Sequence, residues 1–277
     1  MHELRPDYDL SLLLRAAQLA RSTYYYQLKS RDRLGKYAPH KQRLSQLYQQ
    51  HQGRYGYRRL TSVLRAEGYT LNHKTVFKLL GELQLRSRIR LKKYRSYRGE
   101  KAPTTPNLLN REFTAEKPFA KWVTDVTEFK VGAQKLYLSP ILDLYNGEIV
   151  SYDLSERANF KQVSRMLEEA LAKLPAPTRL LLHSDQGWQY QMKPYQRRLK
   201  KQGLIQSMSR KGNCLDNAVM ENFFGTLKSE LFYLNSYECI QALEKDIRQY
   251  IHYYNHQRIR LNLQGMSPVD FRINAGF

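Results

Sequence analysis

A chain of 277 residues with 42% hydrophobic content is long enough for two or three small domains and too apolar to be a disordered chain. Its 46 Lys and Arg against 25 Asp and Glu leave a formal net charge of +21, a surplus that calls for a polyanionic partner: nucleic acid first, an anionic membrane surface as its competitor. Two cysteines, Cys214 and Cys239, exclude a disulfide framework and a Cys-rich zinc site, and the seven histidines show no zinc-ligand spacing. No signal-peptide pattern opens the chain and no apolar run reaches the roughly 18 residues of a membrane span, so the expectation is an intracellular, cytoplasmic protein without membrane binding.

The charge is uneven: residues 1–110 hold 23 basic and 7 acidic residues, and residues 111–277 hold 23 and 18. The N-terminal part thus reads as a DNA-gripping surface. Within residues 1–35 helical periodicity runs from Asp9, a plausible N-cap, to Lys29, with a break at Arg21-Ser-Thr and a second short helix over Tyr24–Leu28. That pattern suits a small DNA-reading unit and a plain helical hairpin equally. Residues 36–98 repeat it more clearly. Helices are expected over 40–51 and 57–67, the latter stopped by Gly68, and a third is capped by Asn72 and turns Val76, Leu79, Leu80 and Leu83 inward. Its outer side would present His73, Lys74, Thr75 and Lys78 as a recognition helix does. A generic three-helix bundle is the alternative, and the basic charge favours DNA binding. From Arg86 to Arg98 (RSRIRLKKYRSYR) seven Lys or Arg occur without an acid. Arg86, Arg88, Arg90, Lys92, Lys93 and Arg95 are therefore read as an arm along phosphates, with Tyr94 and Tyr97 either stacking on bases or standing as isolated surface tyrosines. The Pro/Thr-rich GEKAPTTPN marks a linker, placed over 99–117.

Beyond residue 118 the period changes. KWVTDVTEFKV, KLYLSPILDLY and EIVSYDLS read as three successive strands, the last two joined at Asn146-Gly147 as a two-residue hairpin. A helix around 160–173, a strand TRLLLHSD, a helix near 193–202, a short strand near 204–208 and helices at about 216–231 and 237–256 follow. Three antiparallel strands, then alternating helices and strands, predict a mixed α/β sheet flanked by helices, the order of the ribonuclease-H-like fold, over residues 118–277 with a C-terminal helical tail.

Three acids stand out. Asp125 sits mid-strand, where a charge is unwelcome in a buried sheet, and Asp185 follows an apolar strand at the tip where ligands gather in α/β sheets; either alone is also the pattern of a turn or cap residue. Glu221 lies on a helix whose apolar side is Val219, Met220, Phe223, Phe224, Leu227 and Leu231. Asn217, Glu221, Gly225 and Lys228 form a polar stripe opposite. Glycine inside a helix costs about 1 kcal/mol relative to alanine, which suggests that something bulky approaches Gly225. Glu221 and Lys228 also fit an ordinary solvated pair. Phosphodiester transfer needs an attacking oxygen activated and a leaving oxygen neutralised. Two hard cations held by carboxylates do both, with Asp125 bridging them and Asp185 and Glu221 each holding one.

The motifs WVTDVTEF, LLHSDQGWQY, SRKGNCLDNAVMENFFGTLKSE and YNHQRIRLNLQGMSPVDF, with 35 residues between Asp185 and Glu221, resemble the orfB-type insertion-sequence transposases, relatives of retroviral integrases with a DDE catalytic core. The resemblance implies Mg²⁺-dependent cleavage of element ends and attack of the freed 3′-OH on another phosphodiester, with two ions and Mn²⁺ as a substitute. It further implies Lys228 and Asn217 as DNA contacts, double-stranded DNA (terminal repeats and target) as partner, at least a dimer on DNA, and a bacterial, nucleoid-associated location. It also implies an upstream helix-turn-helix and leucine-zipper frame, fused or as a partner, since no sustained heptad is visible in this chain. Where the family pattern after YNxxR has a His, this chain has Arg260. Lower expectations attach to His183 and Gln186 as residues orienting water or DNA, with His183 more often a packed strand-end residue. Asp143 reads as a hydrogen-bonding structural acid ahead of an accessory acid, Asn213, Asp216 and Asn217 as helix caps ahead of DNA contacts, and His252 with His256 as residues of a surface helix ahead of a metal pair. A ribonuclease-H-like nuclease without strand joining would share the acids. A DNA-binding regulator would need only residues 1–98.

Overall fold

A computed structural model describes residues 4–89, 105–175, 178–210 and 214–277, with side chains described for all of these except 29–36 and 214. Arg90, Lys92, Lys93, Arg95, Tyr94, Tyr97, Asn213 and residues 99–104 of the linker lie outside the described residues. The chain divides into two units, Met1–Ser87 and Arg88–Phe277. Among the described residues no helix is long and apolar enough to cross a membrane.

The first unit is helical. Asp9 caps α1 (Leu10–Ala16) by accepting from the Ser11 amide at 2.7 Å, as its position predicts. The break, however, falls at residues 17–20, where Gln18 is left-handed at φ 50°, and Arg21-Ser-Thr opens α2 (Arg21–Lys36) instead of interrupting it. Leu10 and Leu14 pack with Tyr24 across that bend. Next come α3 (Ala38–Gln50), α4 (Tyr57–Ala66) and α5 (His73–Glu82), whose buried faces are Leu44 and Leu47, Leu60 and Leu64, and Val76, Leu79 and Leu80. α4 ends in a Schellman turn: Tyr69 N donates to Leu64 O at 2.9 Å and Gly68 N to Arg65 O at 3.0 Å, with Gly68 at φ 90°, a conformation that costs a side-chain-bearing residue far more. Asn72 caps α5 through the Lys74 amide at 2.9 Å. Arg43 forks onto Glu67, and Lys41 reaches Glu82 at 2.8 Å, so α3 is tied to the ends of both following helices. On α5, His73, Lys74 and Lys78 are exposed as expected; Thr75 is half-buried, and Leu83 is only partly buried, just past the helix end.

His51 is buried beside this core, stacked 3.8 Å from the Tyr55 ring. Burial, then the charges of Arg54 and Arg59, hold it down from 6.5 to about 4. Between those values the unfolded chain takes up a proton that the folded unit rejects, so stability is full above about pH 6.5 and falls as pH drops toward 4. The expected loss is on the order of 2–3 kcal/mol by pH 4. Thermal melts of the wild type and His51→Phe between pH 7 and 4 check it: the variant should show a shallower decline, and equal slopes would refute the cause.

The second unit is built on a mixed sheet. β1 (Lys121–Thr124) and β2 (Thr127–Val131) both pair antiparallel with β3 (Gln134–Asp143) in one continuous register. The single strand expected over 121–131 is thus interrupted at Asp125 and Val126, and the register sets Asp125 opposite Pro140, which has no N–H to offer a ladder. β3 pairs on its other edge with β4 (Ile149–Ser155), with a register shift at Ile141/Leu142. β1 runs parallel to β5 (Leu181–Ser184), and β5 parallel to β6 (Ile205–Met208). The two-residue hairpin expected at Asn146-Gly147 is a longer connection over 144–148. The Asn146 amide donates to Pro268 O at 2.8 Å, and Gly147, at φ 76°, lies so close to Arg260 that a Cβ would stand 1.7 Å from Nη1. Tertiary contacts with the tail, not local turn chemistry, shape this loop, and they give Arg260 its place.

Along β1 and β2 alternate residues face opposite layers. Trp122 and Thr124 point to α6 (Phe160–Leu171), where Thr124 Oγ1 meets Met166 Sδ at 3.7 Å and the core gathers around Val163, Leu167, Leu182 and Leu199. Leu199 belongs to α8 (Lys193–Lys201), which follows the single turn α7 (Trp188–Gln191). Thr127 and Phe129 point the other way, to α9 (Ala218–Glu230), and Asp125 falls on their side. α10 (Ile240–His256) and α11 (Pro268–Asn274) complete the chain. The Asn255 side chain exchanges two 2.9 Å bonds with the Ile149 backbone at the start of β4.

Candidate active site

Asp125 occupies the gap between β1 and β2, where the backbone leaves the ladder and the side chain sinks toward α9. Its Oδ1 accepts from the Val126 amide at 2.7 Å, and its Oδ2 accepts from Asn217 Nδ2 at 2.9 Å. Asp185 follows β5 directly, its Oδ1 accepting from the Gly187 amide at 2.9 Å; a Cβ on residue 187 would lie 2.9 Å from that same oxygen, so a larger residue there would shift the carboxylate. Glu221 is half-buried in the first turn of α9, where the positive end of the helix dipole favours a carboxylate.

The electrostatics join the three. Burial pushes the Asp125 carboxyl well above the usual carboxylate range. The negative charges of Asp185 and Glu221 push it further, while the Val126 amide and Lys228 work against them. Asp185 is likewise raised by burial, opposed by its Gly187 hydrogen bond. Among the described residues no three His, Cys, Asp or Glu side chains close into a ready-made metal cage; the three acids share a field of like charge, which holds such groups apart.

Lys228 sits in the last turn of α9. Its ammonium donates to Thr127 Oγ1 at 2.8 Å and lies 5.2 Å over the Phe129 ring, and burial lowers its pKa. Nothing in the described chain lies within 4 Å of a Cβ placed on Gly225, so the approach suspected there is not made by the chain itself.

The capping expected of Asp216 and Asn217 is not what the structure holds. Asn217 stands at the N-cap of α9 without a side-chain cap bond; its amide is turned to Asp125, and among the described residues its buried Oδ1 has no hydrogen-bond partner. Asp216 is a fully buried hub. Arg210 donates to it through its amide, Nε and Nη2, and Arg111 Nε (2.8 Å) and Asn107 Nδ2 (2.9 Å) add two more bonds. Burial alone would raise Asp216, but the hydrogen bonds from Arg210 and Arg111 outweigh it and hold the carboxyl well below the usual range. Spacing near the α9 start could suggest a cap; only the fold brings residues 107 and 111 to it.

Other neighbours were not legible. Tyr190 is fully buried beneath the acids, 3.4 Å from Thr124 Oγ1, and burial with the charges of Asp185 and Asp125 suppresses its ionisation. His183 is a packed strand residue, 2.8 Å from Ser207 Oγ and lowered by burial to about 4. Gln186 bonds to Ser209 O at 2.9 Å. Asp143 is structural, accepting from Phe119 N, Trp122 Nε1 and Tyr145 N at 2.7, 3.0 and 2.8 Å. His252 and His256 lie exposed on α10. Of the DNA contacts expected in the N-terminal unit, Lys74, Lys78 and Arg86 are exposed and Thr75 half-buried; Arg88, the first residue of the second unit, is exposed.

Two models described as integrase core domain match residues 115–214 and 221–275, and one described as an HTH-like domain matches 39–93. The chain is 54% identical, over 98% of its length and 96% of the relative, to the putative transposase InsK for insertion sequence element IS150 of Escherichia coli. It is 36% identical, over 83% and 92%, to the transposase for insertion sequence element IS904 of Lactococcus lactis. Among solved structures, the HTLV-2 integrase catalytic core in complex with magnesium is 17% identical over 57% of this chain and 98% of that one, with a TM-score of 0.41, too slight a likeness to transfer residue roles. With an HTH-like N-terminal region, an integrase-type mixed α/β core and relatives matched end to end, this chain belongs to the insertion-sequence transposases.

Proposed function

We propose that this chain cleaves DNA at the ends of an insertion sequence and transfers the freed 3′-OH strand into a second phosphodiester, with Asp125, Asp185 and Glu221 as the metal-holding acids. The observation that carries this reading is the convergence of acids on Asp125: burial first, then the negative charges of Asp185 and Glu221 from distant parts of the chain, hold its carboxyl above the usual range, an arrangement that a hard cation relieves. The donors are all oxygen, and among the described residues the buried Asn217 Oδ1 has no partner, which suits Mg²⁺ or Mn²⁺. Two bound ions would supply activation of the attacking oxygen and neutralisation of the leaving one.

The chain's own residues prepare the site. Val126 N and Asn217 Nδ2 fix the two oxygens of Asp125, and Gly187 N fixes Asp185. Lys228, parked on Thr127, offers a cation to a DNA phosphate further along α9. Lys74, Thr75, Lys78, Arg86 and Arg88, with the basic arm, grip DNA by its phosphates. Two DNA ends handled together call for at least a dimer, and the upstream partner frame rests on the resemblance alone.

The test is to incubate the full chain with labelled element-end duplex and Mg²⁺ and look for nicked and joined products. Binding without nicking would favour a regulator; nicking without joining would favour a nuclease. Asn217→Ala removes the donor to Asp125, and we expect the metal concentration for half-maximal nicking to rise about 10- to 100-fold with the melting temperature little changed. An unaltered metal requirement would remove Asn217 from the positioning of Asp125.

A further inference from the structure

The outer side of α5 carries more than lysines. Opposite its buried Val76, Leu79 and Leu80, the Phe77 ring is 63% exposed. Lys74 stands one turn before it and Lys78 beside it, the latter side chain 79% exposed. Tyr57, at the start of α4, meets Phe77 edge-on at 5.3 Å between centroids and stacks on His73 at 6.1 Å. The Arg58 guanidinium lies 5.6 Å over the Tyr57 ring. An exposed Phe77, backed by the half-buried Tyr57, is thus ringed by Arg58, His73, Lys74 and Lys78. An apolar protein partner would have to desolvate the charges of Arg58, Lys74 and Lys78, whereas a polyanion pairs with them.

We infer that Phe77, braced by Tyr57, reads thymine through its 5-methyl group in the major groove of duplex DNA. The inference rests on the DNA-binding reading of this unit. In the major groove every base edge is a hydrogen-bond donor or acceptor except the thymine methyl. A phenyl ring pressed on the polar edges strips their water and returns no bond; against the methyl, both surfaces leave water together. Lys74 and Lys78 meet phosphates on either side, which fixes orientation and carries no sequence information. The edge-on contact with Tyr57 limits the directions in which the Phe77 ring can lean, so the apolar contact falls at a fixed position along the site.

The experiment uses the full chain to select bound duplexes from a randomised pool. Each thymine of the selected site is then replaced by uracil, which removes only the methyl, and affinity is read by fluorescence anisotropy at constant salt. One or two positions should weaken by about fourfold on uracil substitution, the worth of one buried methyl. Phe77→Ala, which leaves the buried face of α5 intact, should bind thymine and uracil duplexes equally at those positions, while Lys74→Ala weakens both alike. A uracil penalty that survives in Phe77→Ala, or no penalty at any thymine, overturns the inference and leaves DNA binding standing. Failure to select any duplex overturns the DNA-binding reading itself. Self-association of the wild type without DNA, lost in Phe77→Ala, would make the patch an interface between copies and equally overturn it.

Discussion

Glu221→Gln is expected to lower nicking and joining of an element-end duplex by at least about 10³-fold while DNA retention persists. The change keeps the shape of the side chain and removes its charge. That charge matters in two ways: it is a ligand oxygen for a hard cation, and it is one of the two acids that raise Asp125. The second effect supplies a control that needs no activity. Without metal, Glu221→Gln relieves like-charge repulsion, so the variant should melt no lower than the wild type. On adding Mg²⁺ or Mn²⁺ the wild type should gain stability through binding to the folded state, and the variant should gain little. Lost activity with a lowered melting point would mean a damaged fold; undiminished turnover would sink the assignment of Glu221 altogether.

The second large effect concerns the far end of the same helix. Glu230 closes α9 and is buried with Arg258, the two side chains 2% and 7% exposed. Arg258 donates through Nε at 2.8 Å and Nη2 at 2.7 Å, and the Tyr250 hydroxyl adds a bond at 2.9 Å. Burial opposes the guanidinium charge, but the hydrogen bonds it donates to Glu230 outweigh that and hold Arg258 protonated. Removing one partner leaves an uncompensated buried charge, so Arg258→Ala or Glu230→Ala should each cost about 3–5 kcal/mol in urea unfolding. The double replacement Glu230→Leu with Arg258→Met should recover much of that loss, because the two desolvation penalties vanish together. Single variants costing under about 1 kcal/mol would show that the pair does not anchor α9. Glu221 and Lys228 ride on this helix, so loosening its end should also reduce catalysis in the part of the population that stays folded.

Most helices and strands of this protein, its basic N-terminal region and the positions of the three proposed acids are legible in the sequence, because each rests on local physics. Apolar period sets helix and strand, Asn72 and Gly68 set the ends of α5 and α4, and an acid inside or at the tip of an apolar strand is conspicuous. The failures share a cause. The break at Asp125 depends on Pro140 across the ladder, the 144–148 loop on Arg260 and Pro268, and the first bend on packing of Leu10 and Leu14 against Tyr24. The roles of Asn217 and Asp216 were misread as caps because capping is a local bond. Arg210 is local to Asp216, but the other partners, Asp125, Arg111 and Asn107, lie about a hundred residues away along the chain. The sequence by itself determined which groups carry charge and which faces are apolar. Only the tertiary structure decided which of those charges come near one another, where burial and the charges of Asp185 and Glu221 make the Asp125 carboxyl harder to ionise.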